Sequence, residues 1–310
     1  MTSGNSKDGM WIGIDLGGSK YRLGLVNRNS ELIGESIRVS VDDINDADDL
    51  IDSISISVTD LLNSQQMVRE DIIGVGIGSP GPLDIKSGVI LQIPNMTYLR
   101  DVPLVIRMKE KLSLEVVLGN DANCFVLGQQ IAGAAKGCEN VFGMTLGTGF
   151  GCGMIIDGRL YEGATGTAAE YGISRYLEGE FEDYVSGKGL KSIYRKLSGN
   201  SKRPLEIEDA ARDGAPDAIQ AFVEFGGHIG HALSYVVNLI DPEMIVIGGS
   251  IANAYDLFIE PLKVSLMSKI SNLPAQKLQI REAENGELNT IIGAAMLFES
   301  RTKLNPPNSR

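Results

Sequence analysis

An apolar run, Val116-Val117-Leu118, ends at Gly119, is followed by Asn120 and Asp121, and passes at once into a helical pattern with Cys124, Phe125, Leu127 and Ile131 on roughly one face. That order admits few folds. A strand tip hands over directly to a helix start, and two polar side chains are held at the junction. In α/β proteins ligands sit just beyond the carboxyl ends of the strands, at junctions of this kind. Asn and Asp are also strong N-caps, so taken alone the pair is explained equally well as a cap. Glycine-rich turns at 15–20 and 146–153 and carboxylates at Glu170 and Glu182 shift the balance towards chemistry.

The chain has 310 residues, 43% of them hydrophobic, more than one compact core usually organises, so two lobes are expected. No apolar run approaches the roughly 18 residues of a membrane span, and the first residues lack the apolar segment of a signal peptide. A cytoplasmic protein with no membrane partner is expected. Cys124, Cys138 and Cys152 are widely spaced and odd in number, which suggests neither a disulfide framework nor paired zinc thiolates. The net charge of −12 argues against a nucleic-acid partner, because phosphate backbones are held by clustered Lys and Arg. A small anion is still compatible, since backbone N–H groups in glycine loops hold one whatever the net charge.

In chain order, residues 10–15, 21–26 and 31–40 read as a meander of three strands, 43–62 as an amphipathic helix, 72–77 as a buried strand, and 105–112 as a helix before the junction. Sliding the sequence by 130 positions lays Gly13, Leu16 and Gly17 on Gly143, Leu146 and Gly147, so the second half opens with the same strand, glycine turn and strand. Helices are expected at 190–197, 207–212 and 216–239, then a buried strand at 244–247, a turn at Gly248-Gly249-Ser250 into another helix, and a last helix at 291–299.

Glycine turns between strands let backbone N–H groups approach a phosphate, because no Cβ obstructs it. Leu146-Gly147-Thr148-Gly149-Phe150-Gly151-Cys152-Gly153 is the stronger of the two, although a bulged hairpin also explains it. Asp15 could hold magnesium through water or simply form a turn. The Walker pattern is absent.

Asp15-Leu16-Gly17-Gly18-Ser19-Lys20, Gly119-Asn120-Asp121-Ala122-Asn123, Leu146-Gly147-Thr148-Gly149-Phe150-Gly151 and Ile247-Gly248-Gly249-Ser250 resemble, in order and spacing, the ROK family of sugar kinases and sugar-sensing repressors. The resemblance implies an α/β, two-lobed actin-like ATPase (ribonuclease H-like) fold with duplicated mixed-sheet lobes around a cleft. The lobes would be 10–121 with 290–303, and 122–289, with tails at 1–9 and 304–310. It implies phosphoryl transfer from Mg·ATP to a sugar hydroxyl, with ATP and Mg²⁺ as cofactors and a homodimer as the assembly. Asp15, Gly17, Gly18, Ser19, Lys20, Gly147, Thr148 and Gly149 would face the phosphates, and Gly248 and Gly249 the adenosine. Asp121 would take the proton of the attacking hydroxyl. Asn120 would bond a neighbouring hydroxyl, Glu170 and Glu182 would bind the sugar, and Gly81 and Asn95 fall on segments that line the sugar pocket in relatives.

The chain also departs from that pattern. The family places a histidine where Ile173 stands, then a cysteine-rich zinc loop before the second glutamate. Residues 171–181 contain neither cysteine nor histidine, so no zinc is expected, and one sugar contact is missing or supplied by another group. His228 and His231, the only histidines, lie one helical turn apart with no third ligand near in sequence, which suits packing better than metal. Two alternatives accompany the kinase. A ROK repressor needs a DNA-binding segment, for which about nine residues before Met10 are too few; an actin-like scaffold would not need a sugar pocket.

Overall fold

The computed structural model describes residues 9–93 and 96–302. In chain order the elements are β1 (Met10–Leu16), β2 (Lys20–Val26), β3 (Leu32–Ser40), α1 (Ala47–Ser64), β4 (Ile72–Ser79), β5 (Leu83–Asp84), β6 (Val89–Ile93), β7 (Met96–Val102), α2 (Leu104–Leu112), β8 (Val116–Asn120) and α3 (Asp121–Ala132). They continue with β9 (Val141–Leu146), β10 (Phe150–Ile156), β11 (Arg159–Leu160), β12 (Arg175–Tyr176), β13 (Gly179–Glu180), α4 (Glu182–Val185), α5 (Gly187–Ser198), α6 (Pro204–Arg212) and α7 (Pro216–Ile240). The chain closes with β14 (Met244–Gly248), α8 (Tyr255–Met267), α9 (Asn272–Lys277), β15 (Gln279–Glu282) and α10 (Gly286–Thr302).

Two compact units result. One takes the described residues up to Gly137, Arg159–Thr167 and those from Glu284 onward; the other takes Cys138–Gly158 and Ala168–Ala283. In the first, the sheet order is β3-β2-β1-β4-β8, with β1 antiparallel to β2 and parallel to β4, and β4 parallel to β8. Helix α1 lays Leu50, Ile54, Val58 and Leu61 into this unit's core. It starts at Ala47 rather than at 43 because Asp46 caps it, the side chain accepting the Asp49 N–H. The small sheet β5-β6-β7 went unread in the sequence, where Pro82, Pro94 and Pro103 broke the pattern into pieces too short to call.

The second unit repeats the plan. The order β2-β1-β4-β8 recurs as β10-β9-β14-β15 with the same strand directions. Gly13 pairs with Gly24 in the first hairpin and Gly143 with Gly153 in the second. Gly24 therefore corresponds to Gly153, one position short of the 130-residue offset, because the second glycine turn is one residue shorter. A slide at fixed offset matches β1 to β9 and then slips out of register on β2 and β10.

Helix α3 belongs to the first unit, whereas the sequence reading ended that lobe at 121. The reason is α10. A Cβ on Gly128 of α3 would overlap the Asn289 carbonyl oxygen of α10, and one on Gly293 of α10 would overlap the Cys124 carbonyl oxygen of α3. The same helix lies on Gly13 of β1 and Gly76 of β4, where a Cβ would meet the carbonyls of Ile291 and Ala294. Among the described residues no helix is long and apolar enough to cross a membrane.

This packing sets a prediction. Alanine normally favours a helix interior over glycine by ~1 kcal/mol. Gly293→Ala is expected to do the reverse, destabilising by ~1–3 kcal/mol as an overpacked core substitution does. Gly227→Ala on α7, whose Cβ would meet nothing within 4 Å, is expected to stabilise by ~0.5–1 kcal/mol. Denaturant unfolding of the two variants checks the contrast.

Candidate active site

In the first unit three parallel strand tips stand in register: Asp15 of β1 pairs with Gly78 of β4, and Gly78 with Gly119 of β8. Two residues beyond Gly119 the chain enters α3. Asn120 is the N-cap; its Oδ1 accepts the N–H groups of Ala122 at 2.9 Å and Asn123 at 3.3 Å. Asp121 is the first helical residue, and its Oδ1 accepts the Ala122 N–H at 2.8 Å. The division of labour that the sequence left open is therefore visible. Asn120 caps the helix through its oxygen on two N–H groups, while Asp121 accepts only the Ala122 N–H that Asn120 already holds. Gly78 admits the helix start; a Cβ there would come within 2.8 Å of Cys124 Sγ and 3.6 Å of Asp121 Cα.

Two acids thus share one strand-tip environment. Burial pushes the Asp121 carboxyl above the usual carboxylate range, against the lowering effect of its backbone hydrogen bonds. Asp15 is pushed up to about 7, by burial first and by the charge of Asp121 second, with Arg22 and Lys20 pulling the other way and Glu287 adding to the rise. Lys20, expected at the phosphates, places its Nζ 2.9 Å from Glu287 Oε1 in the first turn of α10, and Arg22 pairs with the same carboxylate. The turn at 17–20 closes through the Gly17 N–H on the Lys20 carbonyl at 2.9 Å, leaving Gly18 and Ser19 exposed. Gly81, two residues past the end of β4, follows Ser79, which pairs with Asn120, so its segment does approach the junction. Asn95 lies outside the described residues.

In the second unit the turn between β9 and β10 meets the turn after β14. The Gly187 N–H donates to the Gly147 carbonyl at 2.8 Å, and Gly249, at φ 89°, packs so closely that a Cβ would overlap the Leu146 backbone. Gly248 ends β14 directly before it. A cavity of about 550 Å³ opens there, with Gly147, Thr148 and Ser250 at one side and Leu205, Phe222 and Ile251 among its apolar walls. The volume and the mixture of apolar wall with a few polar groups suit a small ligand. Lys188, Lys191, Arg203 and Asn253 also line it. They go unnamed in the sequence analysis; the signal is the Lys188 and Lys191 pair directly behind Gly187.

Glu182 is turned onto the same glycine turn, its Oε2 accepting the Phe150 N–H at 3.0 Å and standing 3.0 Å from where a Gly149 Cβ would be. Glu170 is exposed, and its charge is the second cause, after burial, that raises the Cys152 thiol well above its ordinary value. His228 and His231 lie among aromatic rings, the Nδ1 of His228 2.9 Å from the Tyr176 hydroxyl.

Comparison with known proteins adds to this geometry. The family model described as ROK family matches residues 11–301. A glucokinase of Thermotoga maritima is 28% identical, over 94% of this chain and 97% of that one. An N-acetyl-D-glucosamine kinase of Pectobacterium atrosepticum is 30% identical, over 93% of this chain and 98% of that one. Among solved structures, a ROK family glucokinase from Streptomyces griseus in complex with glucose and AMPPNP superposes with a TM-score of 0.79 at 28% identity, covering 93% of this chain and 99% of that chain.

The shared environment of the two acids has a consequence for stability. A carboxyl raised from 3.8 to about 7 keeps in the folded state a proton that the unfolded chain releases, so stability falls as pH rises between those values and stays reduced above them. Asp15→Asn removes the buried charge. Its thermal midpoint without ligands is expected to exceed wild type by at least ~2 °C at pH 8, and the gain should shrink towards pH 4. A constant difference across that range would contradict the account.

Proposed function

Because the chain belongs to the ROK family and is a carbohydrate kinase, we propose that it transfers the γ-phosphate of Mg·ATP to a hydroxyl of a hexose or amino sugar, in the manner of a glucokinase or hexokinase, with Asp121 as general base. The observation that carries the reading is the junction itself. A carboxylate that the helix does not need for its cap is set at a strand tip and given a raised proton affinity. As the sugar oxygen bonds to the γ-phosphorus, its proton passes to Asp121 and the bond to the ADP oxygen breaks; Asp121 then returns the proton to solvent. A raised carboxyl pKa brings the base closer to neutral pH, where it accepts the proton more readily.

The NH₂ of Asn120 is a donor for the neighbouring sugar hydroxyl, and Glu170 and Glu182 are the carboxylates proposed for the remaining hydroxyls. The backbone amides of Gly18, Ser19, Thr148 and Gly149 are proposed for the phosphates, with Gly17 and Gly147 closing the two turns through their own N–H groups. Gly248, Gly249 and the cavity beside Ser250 are proposed for the adenosine. A divalent metal, Mg²⁺ in this reading, supplies charge neutralisation on the phosphates, and Asp15 is the side chain proposed to hold it. Among the described residues no three His, Cys, Asp or Glu converge as a ready metal site. That suits an ion carried chiefly by phosphates and water with one protein carboxylate. In the cell the proposal places the enzyme in the cytoplasm as a homodimer, for which size-exclusion with light scattering is the measurement.

Two variants test the base. Asp121→Asn is expected to lower sugar-dependent kcat by ~10²–10⁴-fold with an unchanged or higher thermal midpoint. Asn120→Ala should lose ~1 kcal/mol of stability as a removed cap. Near-normal turnover in Asp121→Asn would overturn the assignment.

ADP release over a panel headed by glucose and N-acetylglucosamine tests the reaction class, and in wild type kcat/KM for the sugar should fall at the acid side with an apparent pKa above 3.8.

A further inference from the structure

The zinc that the resemblance implies finds no fitting donor set among the described residues. Residues 171–181 offer no thiolate and no imidazole, and Ile173, at the position of the family histidine, is 69% exposed. The two imidazoles elsewhere are half-buried against aromatic rings, with His228 Nδ1 bonded to Tyr176. A structural zinc takes about four Cys or His ligands, and the residues present do not fit it.

What occupies this segment is a column of aromatic rings. Tyr171 packs on Phe181 with ring centroids 5.5 Å apart, and Phe181 stacks on Tyr176 at 4.5 Å and 14°. Tyr184 meets the Tyr176 ring edge-on at 5.1 Å, and the Tyr176 hydroxyl reaches His228 on α7. Each glutamate is the chain neighbour of a ring in the column: Glu170 precedes Tyr171, and Glu182 follows Phe181. Backbone bonds reinforce the link, from the Ser174 N–H to the Tyr171 carbonyl at 2.9 Å and from the Phe181 N–H to the Ser174 carbonyl at 3.1 Å. The hairpin β12–β13 that carries Tyr176 thereby closes the loop between the two acids.

We propose that this column is a metal-free device that positions Glu170 and Glu182, with Tyr176 as its pin, so that sugar affinity in this chain depends on Tyr176 and not on zinc. The inference rests on the reading of the two glutamates as sugar ligands. Without the Tyr176 ring, Phe181 loses its stacking partner and the hairpin loses its hydroxyl tie to α7, so that only the Tyr171–Phe181 contact and the two backbone bonds still hold 170–171 to 181–182. Tyr176 touches no substrate in this account; it acts through Phe181 and Glu182.

The test uses the full-length protein and two readouts. In Tyr176→Ala the sugar KM is expected to rise about ten-fold, the worth of one aromatic contact, with kcat and the KM for ATP little changed. Tyr176→Phe, which keeps the ring and loses only the hydroxyl, should restore most of the affinity. Amide hydrogen exchange over 171–182 without ligands should quicken in Tyr176→Ala and be unaffected when wild type is treated with a zinc chelator. Should wild type turn over no sugar, the kinase reading fails, and exchange still decides the positioning role. One zinc per chain whose removal quickens exchange, or Tyr176→Ala with normal exchange, would overturn the inference; quickened exchange with an unchanged sugar KM would overturn its link to the sugar. If Tyr176→Ala does not fold, Tyr176→Leu, which keeps bulk without a ring, is read in the same way.

Discussion

The first unit depends on backbone meeting backbone along α10. Where that helix crosses β1, β4 and α3, the residues at the crossings are Gly13, Gly76, Gly128 and Gly293, and a single methyl group at any of them would overlap a carbonyl. Contact at this range fixes the helix and the strands to each other with little freedom to slide, because close-packed interiors transmit rather than absorb a displacement. The register that follows lines up Asp15, Gly78 and Gly119 across three strands. It also brings Glu287, at the start of α10, onto Lys20 and Arg22. The charges around the strand tips are thus arranged by a contact that contains no charge.

That arrangement holds two carboxyl groups whose proton affinity is raised. Burial and mutual repulsion act in the same direction on Asp15, and burial acts on Asp121. A chain selected for stability alone would have no use for the second acid, since Asn120 already satisfies the first N–H groups of α3. Strain of this kind tends to collect where ligands bind, and a metal ion or a phosphate-bound cation would relieve it by supplying positive charge.

The second unit reuses the sheet plan and gives its glycine turn different neighbours. The turn is one residue shorter than its counterpart, and it lies against Gly249 and Gly187, with Glu182 on the Phe150 N–H. The loop from Glu170 to Glu182 is held by ring stacking rather than by sulfur ligands. Tyr171, Tyr176 and Phe181 looked unremarkable in the sequence because an aromatic residue in a loop has no periodicity to reveal its partners.

The fold class was implied by the resemblance that four motifs carry, and the sequence by itself determined the repeated opening of the two halves, the strand-to-helix junction at 119–121 and the glycine turns. Each of these is written in local pattern: apolar period, glycine spacing and cap chemistry act over a few residues. Only the tertiary structure decided that Asn120 rather than Asp121 caps α3, and that Lys20 turns to Glu287. It alone placed α3 with the first unit and moved the repeat by one position across the glycine turn. It alone gathered Lys188, Arg203 and Ser250 around one cavity and joined Tyr176 to His228. These facts depend on pairings between residues tens to hundreds of positions apart, and a chain encodes such pairings only through the shapes that its packed elements leave for one another.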